Sequence, residues 1–193
     1  MEEFYTLQGE GFNTGLAAYL IRIGGCDVGC KWCDVKESWN AGNFPPVSTD
    51  LVVQHALTYP AKAIVVTGGE PLLYNLEYLC SELQRKGVRT FLETSGSQPL
   101  SGSWDWICVS PKRDAPPLKE VAAMASELKV IIQDTTDFRW AEDNSPLVSE
   151  SCLLYLQPEW SRREAMMPEI IRYIMANPKW RISLQSHKYM HIP

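Results

Sequence analysis

The chain has 193 residues, of which 45% are hydrophobic and 21% charged, a composition typical of one globular domain with a buried core. Its net charge of −5 and pI near 5.3 argue against a nucleic-acid-binding protein, which usually presents a basic face. No apolar run approaches the ~20 residues of a membrane span and the acidic N-terminus does not resemble a signal peptide, so we expect a cytoplasmic protein with reduced cysteines.

Apolar runs of strand length recur along the chain, and each is followed by a polar or glycine-containing turn. They are AAYLIRIGG, AIVVTGGEP, RTFLETSG, WICVSPK, LKVIIQD, CLLYLQP and RISLQSHK. Helical patterns lie between several of them, namely Thr49 to Tyr59, Leu73 to Lys86, Leu118 to Glu127, and Arg162 to Asn177 with a kink or a start at Pro168. Strands that alternate with helices indicate a parallel sheet. The repeats are too few for a complete barrel of ~250 residues, so the sequence predicts an α/β fold, a partial (incomplete) TIM-like β/α barrel of about six parallel strands in a single domain of residues 1–193.

Three of the six cysteines, Cys26, Cys30 and Cys33, follow the first of these runs within eight residues. Clustered cysteines in a reducing compartment favour metal binding, and three of them suit a [4Fe–4S] cluster whose fourth iron stays open to another ligand. The alternative is a zinc site completed by a distant histidine. The candidates for that ligand, His55, His187 and His191, do not have zinc-finger spacing. The other three cysteines lie in helical or apolar segments, where we expect them in the core.

The CDVGCKWC segment, with Trp32 just before the last cysteine, resembles the radical S-adenosylmethionine (SAM) superfamily. The resemblance implies that the amino and carboxylate groups of SAM chelate the open iron. It also implies that an electron from the cluster cleaves the sulfonium to a 5′-deoxyadenosyl radical, with no catalytic residue expected beyond the cluster.

Polar residues at the carboxyl ends of the runs are predicted to bind this cofactor, because parallel sheets bind ligands at that edge. The segment TGGEP resembles the superfamily's element for the amino group of SAM, although by itself it could be a tight turn. Carboxylate and hydroxyl groups at the next strand ends can bind ribose, and Lys112 can offset the SAM carboxylate, although each could also be a plain strand exit. The candidates are Gly69, Glu70, Glu93, Ser95, Ser110, Pro111, Lys112, Leu156, Gln157, Pro158 and Glu159.

A second group of residues is predicted to bind the substrate. The N-terminal turn TLQGEG supplies an amide and a carboxylate, although it could be only a hairpin turn. Arg22 would clamp a substrate carboxylate if its strand face lines the barrel, and would otherwise be exposed on an edge. The apolar tail LQSHKYMHIP continues from a strand, and we expect it to bring the α-carboxylate of Pro193 to the substrate or to cover the barrel. The candidates are Leu7, Gln8, Gly9, Glu10, Arg22, Thr67, His187 and Pro193.

The segments TLQGEG, IRIGGCDVGCKWCD, TGGEP, ETSG, VSPK, LQP and LQSHKYMHIP together resemble the 7-carboxy-7-deazaguanine synthase family. The resemblance covers the chain from end to end. It implies the conversion of 6-carboxy-5,6,7,8-tetrahydropterin to 7-carboxy-7-deazaguanine with loss of ammonia, in 7-deazapurine and queuosine biosynthesis. It further implies a homodimer, an electron donor such as flavodoxin, and Mg²⁺.

One position departs from the family pattern. The resemblance assigns Mg²⁺ to a threonine hydroxyl two residues after the last cysteine, but that residue here is Val35, which has no oxygen. We therefore expect either no need for Mg²⁺ or an ion held by substrate and water.

Two other functions fit the cysteine cluster alone. One is a small radical SAM activase that acts on a glycyl-radical enzyme, which would need an open mouth for a protein loop. The other is a non-catalytic zinc-binding module, which would be colourless where a cluster protein is brown.

Overall fold

The computed structural model describes residues 2–193, and its strands form one sheet in which each strand pairs with the next along the chain. The strands are β1 (Glu2–Leu7), β2 (Ala17–Ile23), β3 (Ala63–Gly68), β4 (Arg89–Thr94), β5 (Trp106–Val109), β6 (Glu127–Ile132), β7 (Leu153–Pro158) and β8 (Trp180–Ile182). Strand β1 is antiparallel to β2, and all later pairings are parallel. The α/β fold of a partial barrel is confirmed.

The strands differ from the prediction in two places. The parallel part includes every strand from β2 to β8, one more than the predicted six. Strand β1 was not predicted, because EEFYTL begins with two charged residues and has little apolar alternation. Pairing with β2 stabilises β1, and this contact is not visible in the local sequence.

The helices are α1 (Thr49–Leu57), α2 (Glu77–Arg85), α3 (Lys119–Ala123), α4 (Asp137–Asn144), α5 (Arg163–Ala176) and α6 (Ser186–Met190). Of these, α1, α2, α3 and α5 lie where helices were predicted, with different ends. Helix α4 and helix α6, which follows the last strand, were not predicted. The predicted helix to Glu127 was wrong at its end, because Glu127 begins β6 and faces the barrel interior. The alternative of a helix start at Pro168 was also wrong. Helix α5 runs through this residue, and Met166 and Ile170 anchor it on the sheet.

Two apolar clusters support the barrel. The larger one lies between the sheet and the helices, and includes Cys80 and Cys152. The smaller one fills the inside of the barrel with Ala18, Ala63, Val65 and Phe91. Cys80, Cys108 and Cys152 are all buried, as expected of core residues. Within residues 2–193, no helix combines the length and the hydrophobicity that a bilayer crossing demands.

Candidate active site at the carboxyl end of the barrel

A cavity of about 270 Å³ opens at the carboxyl ends of the parallel strands. The two predicted groups of residues meet there. Those that line it are Leu7, Gln8, Gly9, Glu10, Arg22, Cys26, Cys30, Cys33, Thr67, Gly69, Glu70, Glu93, Ser95, Ser110, Lys112, Gln157, Pro158, Glu159, His187 and Pro193. The topology explains this convergence, because every parallel strand delivers its last residues to the same end of the barrel.

The cysteine loop forms one wall of the cavity. Cys26, Cys30 and Cys33 are partly exposed on a loop whose turns use Gly25 (φ 109°) and Gly29 (φ 68°). Within residues 2–193, no three histidine, cysteine or acidic side chains converge on a single ion. A zinc site requires such convergence, whereas each thiolate of a four-iron cluster binds a different iron. Three partly exposed thiols on one loop are the donor set of a [4Fe–4S] cluster with one open iron.

Glu70 links the ends of β3 and β4. Its carboxylate is 1% exposed and accepts hydrogen bonds from the backbone N–H of Leu72 (3.0 Å) and Ser95 (2.9 Å). It also accepts from the hydroxyls of Thr94 (2.6 Å) and Ser95 (2.5 Å). Each carboxylate oxygen thus has two donors within the chain. The side chain organises this rim, and the backbone of Gly69, packed against Gly25, is the part left to face a ligand.

Lys112 lies beside the cysteine loop at the end of β5. Its Nζ donates to Ser110 Oγ (2.8 Å) and lies 5.6 Å from the ring centre of Trp32. Burial lowers the pKa of Lys112, while the nearby Cys30 raises it. Burial raises the pKa of Cys30, and the ammonium of Lys112 opposes that effect.

Two of the predicted cofactor residues do not line this cavity. The prediction for the side chain of Leu156 was wrong, because it is fully buried in the core between sheet and helices. Side chains alternate along a strand, so Gln157 points into the cavity while Leu156 points away. Pro111 lies in a neighbouring depression with Arg113 and Asp137, so its contact with the cofactor stays a prediction.

The loop between β1 and β2 enters the barrel from the opposite end. Gln8 Nε2 donates to Glu93 Oε1 (3.1 Å), and Gln8 Oε1 accepts from the backbone N–H of Glu10 (3.1 Å). Glu93 was predicted to bind the ribose of the cofactor, but this hydrogen bond links it to Gln8, which was predicted to bind the substrate. The Glu10 carboxylate accepts from Lys129 Nζ (2.6 Å) and from Gln185 Nε2 (2.9 Å).

The charges around Glu10 fix its ionisation. Burial would raise the pKa of this carboxyl, but the ammonium of Lys129 and hydrogen bonds from Lys129, Gln185 and Gln157 lower it to about 2. Glu10 is therefore a carboxylate, and only an acceptor, at neutral pH.

The C-terminal segment closes another side of the cavity. Gly9 O accepts from the backbone N–H (2.9 Å) and the hydroxyl (2.8 Å) of Ser186. The His187 ring packs so closely on Gly9 that a Cβ there would lie 2.2 Å from His187 Nδ1. Burial lowers the pKa of His187, which favours the neutral ring. Pro193 lies near β1, where its carbonyl oxygen accepts from Thr6 Oγ1 (3.4 Å).

Arg22 faces the cavity, which agrees with the interpretation in which its strand face lines the barrel. Its NH1 donates to Glu2 Oε2 (2.7 Å), and its guanidinium lies 5.4 Å from the ring centre of Phe4. Thr67 lies beside it, since the two residues are partners in the β2–β3 register.

Among the cavity-lining residues that sequence reasoning missed are Lys129, Gln185 and Trp160. Lys129 lies in the apolar run LKVIIQD, where the two-residue alternation that aims it at the interior was the available signal. Lys188 Nζ lies 5.0 Å from the ring centre of Trp160 and pairs with Asp34.

Comparisons with known proteins cover nearly the whole chain. The family model described as the Radical SAM superfamily matches residues 20–132. A protein of Flavobacterium psychrophilum named 7-carboxy-7-deazaguanine synthase is 55% identical, covering 100% of this chain and 91% of its own length. A protein of the same name from Synechocystis sp. is 47% identical over 99% of this chain and 91% of its own. The crystal structure of QueE from Escherichia coli matches with a TM-score of 0.84 at 30% identity, over 96% of this chain and 92% of that one.

Proposed function

The chain belongs to the radical SAM superfamily and, within it, to the 7-carboxy-7-deazaguanine synthases, and we propose that it converts 6-carboxy-5,6,7,8-tetrahydropterin to 7-carboxy-7-deazaguanine with loss of ammonia. The observation that carries the proposal is the composition of one cavity. Three cysteines line one wall, and the acceptor-rich Gln8–Glu10 turn lines the other. This arrangement suits a reaction in which a cofactor and a polar heterocycle lie side by side.

The cofactor half of the site consists of residues at the cysteine wall. Cys26, Cys30 and Cys33 would hold the cluster. When bound, the cluster and SAM supply the electron and the adenosyl radical that removes a hydrogen from C6 of the pterin. The backbone of Gly69 would receive the amino group of SAM, and the Lys112 ammonium would offset its carboxylate. Ser95, Ser110, Gln157, Pro158 and Glu159 complete this half.

The substrate half consists of residues that can match each polar group of the pterin. Arg22 would bind the 6-carboxylate of the pterin in place of the Glu2 carboxylate. Glu2 is the more exposed partner of this ion pair. Gln8 and Glu10 offer acceptors to the N–H-rich pyrimidine edge. Leu7, Gly9, Thr67, His187 and Pro193 lie around them. Residues of the loop and of the tail line the cavity, which leaves less of it open to a protein substrate such as a glycyl-radical enzyme.

The side chains near Val35 do not fit a protein-held Mg²⁺. Val35 lines the cavity with an apolar surface, and the adjacent Asp34 carboxylate accepts from Lys188 and Gln185. Glu10 and Glu93 are both paired with Lys129. These residues therefore offer little direct coordination, and an Mg²⁺ ion, which commonly keeps several waters, would be held mainly by substrate and water.

The protein's partners and location also belong to this proposal. We expect a homodimer in the cytoplasm that receives its electron from a reductant such as flavodoxin. Asp27 and Lys31 are exposed on the cysteine loop, so this side of the loop is where a reductant would approach the cluster.

The test is anaerobic reconstitution with iron and sulfide, followed by incubation with SAM, a reductant and the carboxytetrahydropterin. We expect 7-carboxy-7-deazaguanine and ammonia by mass analysis. An Arg22→Gln variant should show a raised KM for the pterin, whereas Arg181→Gln, which changes an exposed arginine on β8, should match the wild type. Absence of the deazaguanine from a protein with full iron content would refute the proposal.

A further inference from the structure

Lys129 is a buried cation held between two carboxylates that come from different parts of the chain. Its side chain is 5% exposed, and its Nζ lies 2.6 Å from Glu10 Oε2 and 2.8 Å from Glu93 Oε2. Strand β6 supplies the lysine, β4 supplies Glu93, and the β1–β2 loop supplies Glu10. The three side chains form a cluster that we call the Glu10–Lys129–Glu93 triad.

Stability alone does not explain the triad. Desolvating a lysine and two carboxylates is costly, and apolar replacements of buried ion pairs are often neutral or stabilising. One ammonium also leaves two carboxylates with a net negative charge. The triad therefore retains an excess of acceptors inside a cavity that is otherwise partly apolar.

The hydrogen bonds show which acceptor positions remain for a ligand. Each carboxylate gives one oxygen to Lys129, and its other oxygen accepts an amide N–H, from Gln185 for Glu10 and from Gln8 for Glu93. The Gln157 side chain is a further donor near Glu10. A carboxylate oxygen can accept two hydrogen bonds. Both groups line the cavity, so each retains unused acceptor capacity at the place proposed for the pterin edge.

From this geometry we infer that Lys129 is the positioning residue of the substrate half, which holds Glu10 and Glu93 as a pair of ionised acceptors aimed at the N–H donors of the pterin. The inference rests on the proposed function. Lys129 directs two of its three N–H donors at the carboxylates, so its effect on the substrate acts through Glu10 and Glu93.

The charges that surround the triad are consistent with this role. Burial would lower the pKa of Lys129, but the acids around it raise the pKa well above its ordinary value, so the lysine stays charged. With the lysine in place, the pKa of Glu10 is lowered to about 2. The titratable and charged groups that face the triad are Cys108 and Lys112 around β5, Glu127 on β6, His187 on α6 and Asp34 after the cysteine loop.

Removal of the lysine should change the pH dependence of binding. Without the ammonium, the pKa of Glu10 rises, and the two close carboxylates share a proton as the pH falls. A protonated acceptor becomes a donor and opposes the donors of the pterin. The affinity of the wild type for the pterin should therefore stay constant from pH 8 to pH 6. The affinity of Lys129→Met should fall further as the pH is lowered over these ~2 pH units.

The experiment measures the dissociation constant of the carboxytetrahydropterin by equilibrium dialysis, with reconstituted protein, SAM and no reductant. Lys129→Met should weaken binding about tenfold or more (~1.4 kcal/mol), with KM raised more than kcat is lowered. Iron content and SAM binding should stay unchanged. Lys129→Arg, which keeps the charge, should recover part of the affinity. The matched control is Lys179→Met, which removes a surface lysine paired with Glu142 and should bind as the wild type does.

A double variant keeps the test informative if Lys129→Met folds poorly. Lys129→Met with Glu93→Gln restores the net charge of the triad, so it should fold, but it lacks the cation that aims Glu10 and should still bind the pterin weakly. Wild-type affinity with a flat pH profile in either variant would overturn the inference. Failure of the wild type to bind any pterin would instead overturn the proposed function.

Discussion

Replacing Glu70 with glutamine tests whether this buried carboxylate holds the cofactor rim together. Glu70 is 1% exposed, and its two oxygens accept four hydrogen bonds from Leu72, Thr94 and Ser95. Two of the four donors are backbone N–H groups, which cannot reorient, and two are hydroxyls, which can rotate to act as acceptors. An amide supplies only one oxygen and turns an N–H₂ group toward the other pair of donors.

The magnitude follows from the donors left without an acceptor. Whichever way the amide turns, one backbone N–H, that of Leu72 or of Ser95, faces the N–H₂ group. A buried unsatisfied donor costs about 1–3 kcal/mol, so Glu70→Gln should lower the free energy of unfolding by about 2 kcal/mol. Glu70→Ala removes both acceptor oxygens, and with them all four hydrogen bonds, and leaves a cavity, so it should cost about 4 kcal/mol.

The assay is urea unfolding of the anaerobically purified protein, followed by tryptophan fluorescence. Asp143→Asn is the matched control, because it removes a carboxylate from an exposed pair with Arg139, where a change of at most about 0.5 kcal/mol is expected. The same Glu70 variants should bind SAM more weakly, since Gly69 and Ser95 lose their anchor. If Glu70→Gln unfolds at the wild-type urea concentration, the carboxylate is not a structural brace, and the argument from its hydrogen bonds is wrong.

Three further predictions concern the two halves of the site. Cys30→Ala should lower the iron content and abolish SAM cleavage while the far-UV circular dichroism stays native, and full iron content with turnover would contradict the cluster assignment. Val35→Thr should make the rate depend more steeply on Mg²⁺ than in the wild type, and equal titration curves would mean that residue 35 does not affect the ion. Gly9→Ala should displace His187, because a Cβ would lie 2.2 Å from its Nδ1. Pterin affinity should then fall while SAM cleavage persists, and an unchanged KM would show that the ring is not needed there.

The sequence was sufficient for the fold class and for the place of the candidate site in the fold, for a physical reason. Apolar runs of strand length indicate strands buried on both faces, and parallel strands place their last residues at a common edge. The segments TGGEP, ETSG and VSPK could therefore be assigned to one rim before any distance was known. Cys26, Cys30 and Cys33 carry their chemistry in their spacing, which is also local.

What only the tertiary structure decided depends on contacts between distant segments. Strand β1 forms because it pairs with β2. Leu156 and Gln157 are neighbours on one strand, but Leu156 faces the core and Gln157 faces the cavity. In the sequence, Lys129 only interrupts an apolar run. In the structure, its ammonium donates to the carboxylates of Glu10 and Glu93, which lie 119 and 36 residues away along the chain. Burial and charge pairing of this kind arise from the whole fold, so local periodicity cannot report them.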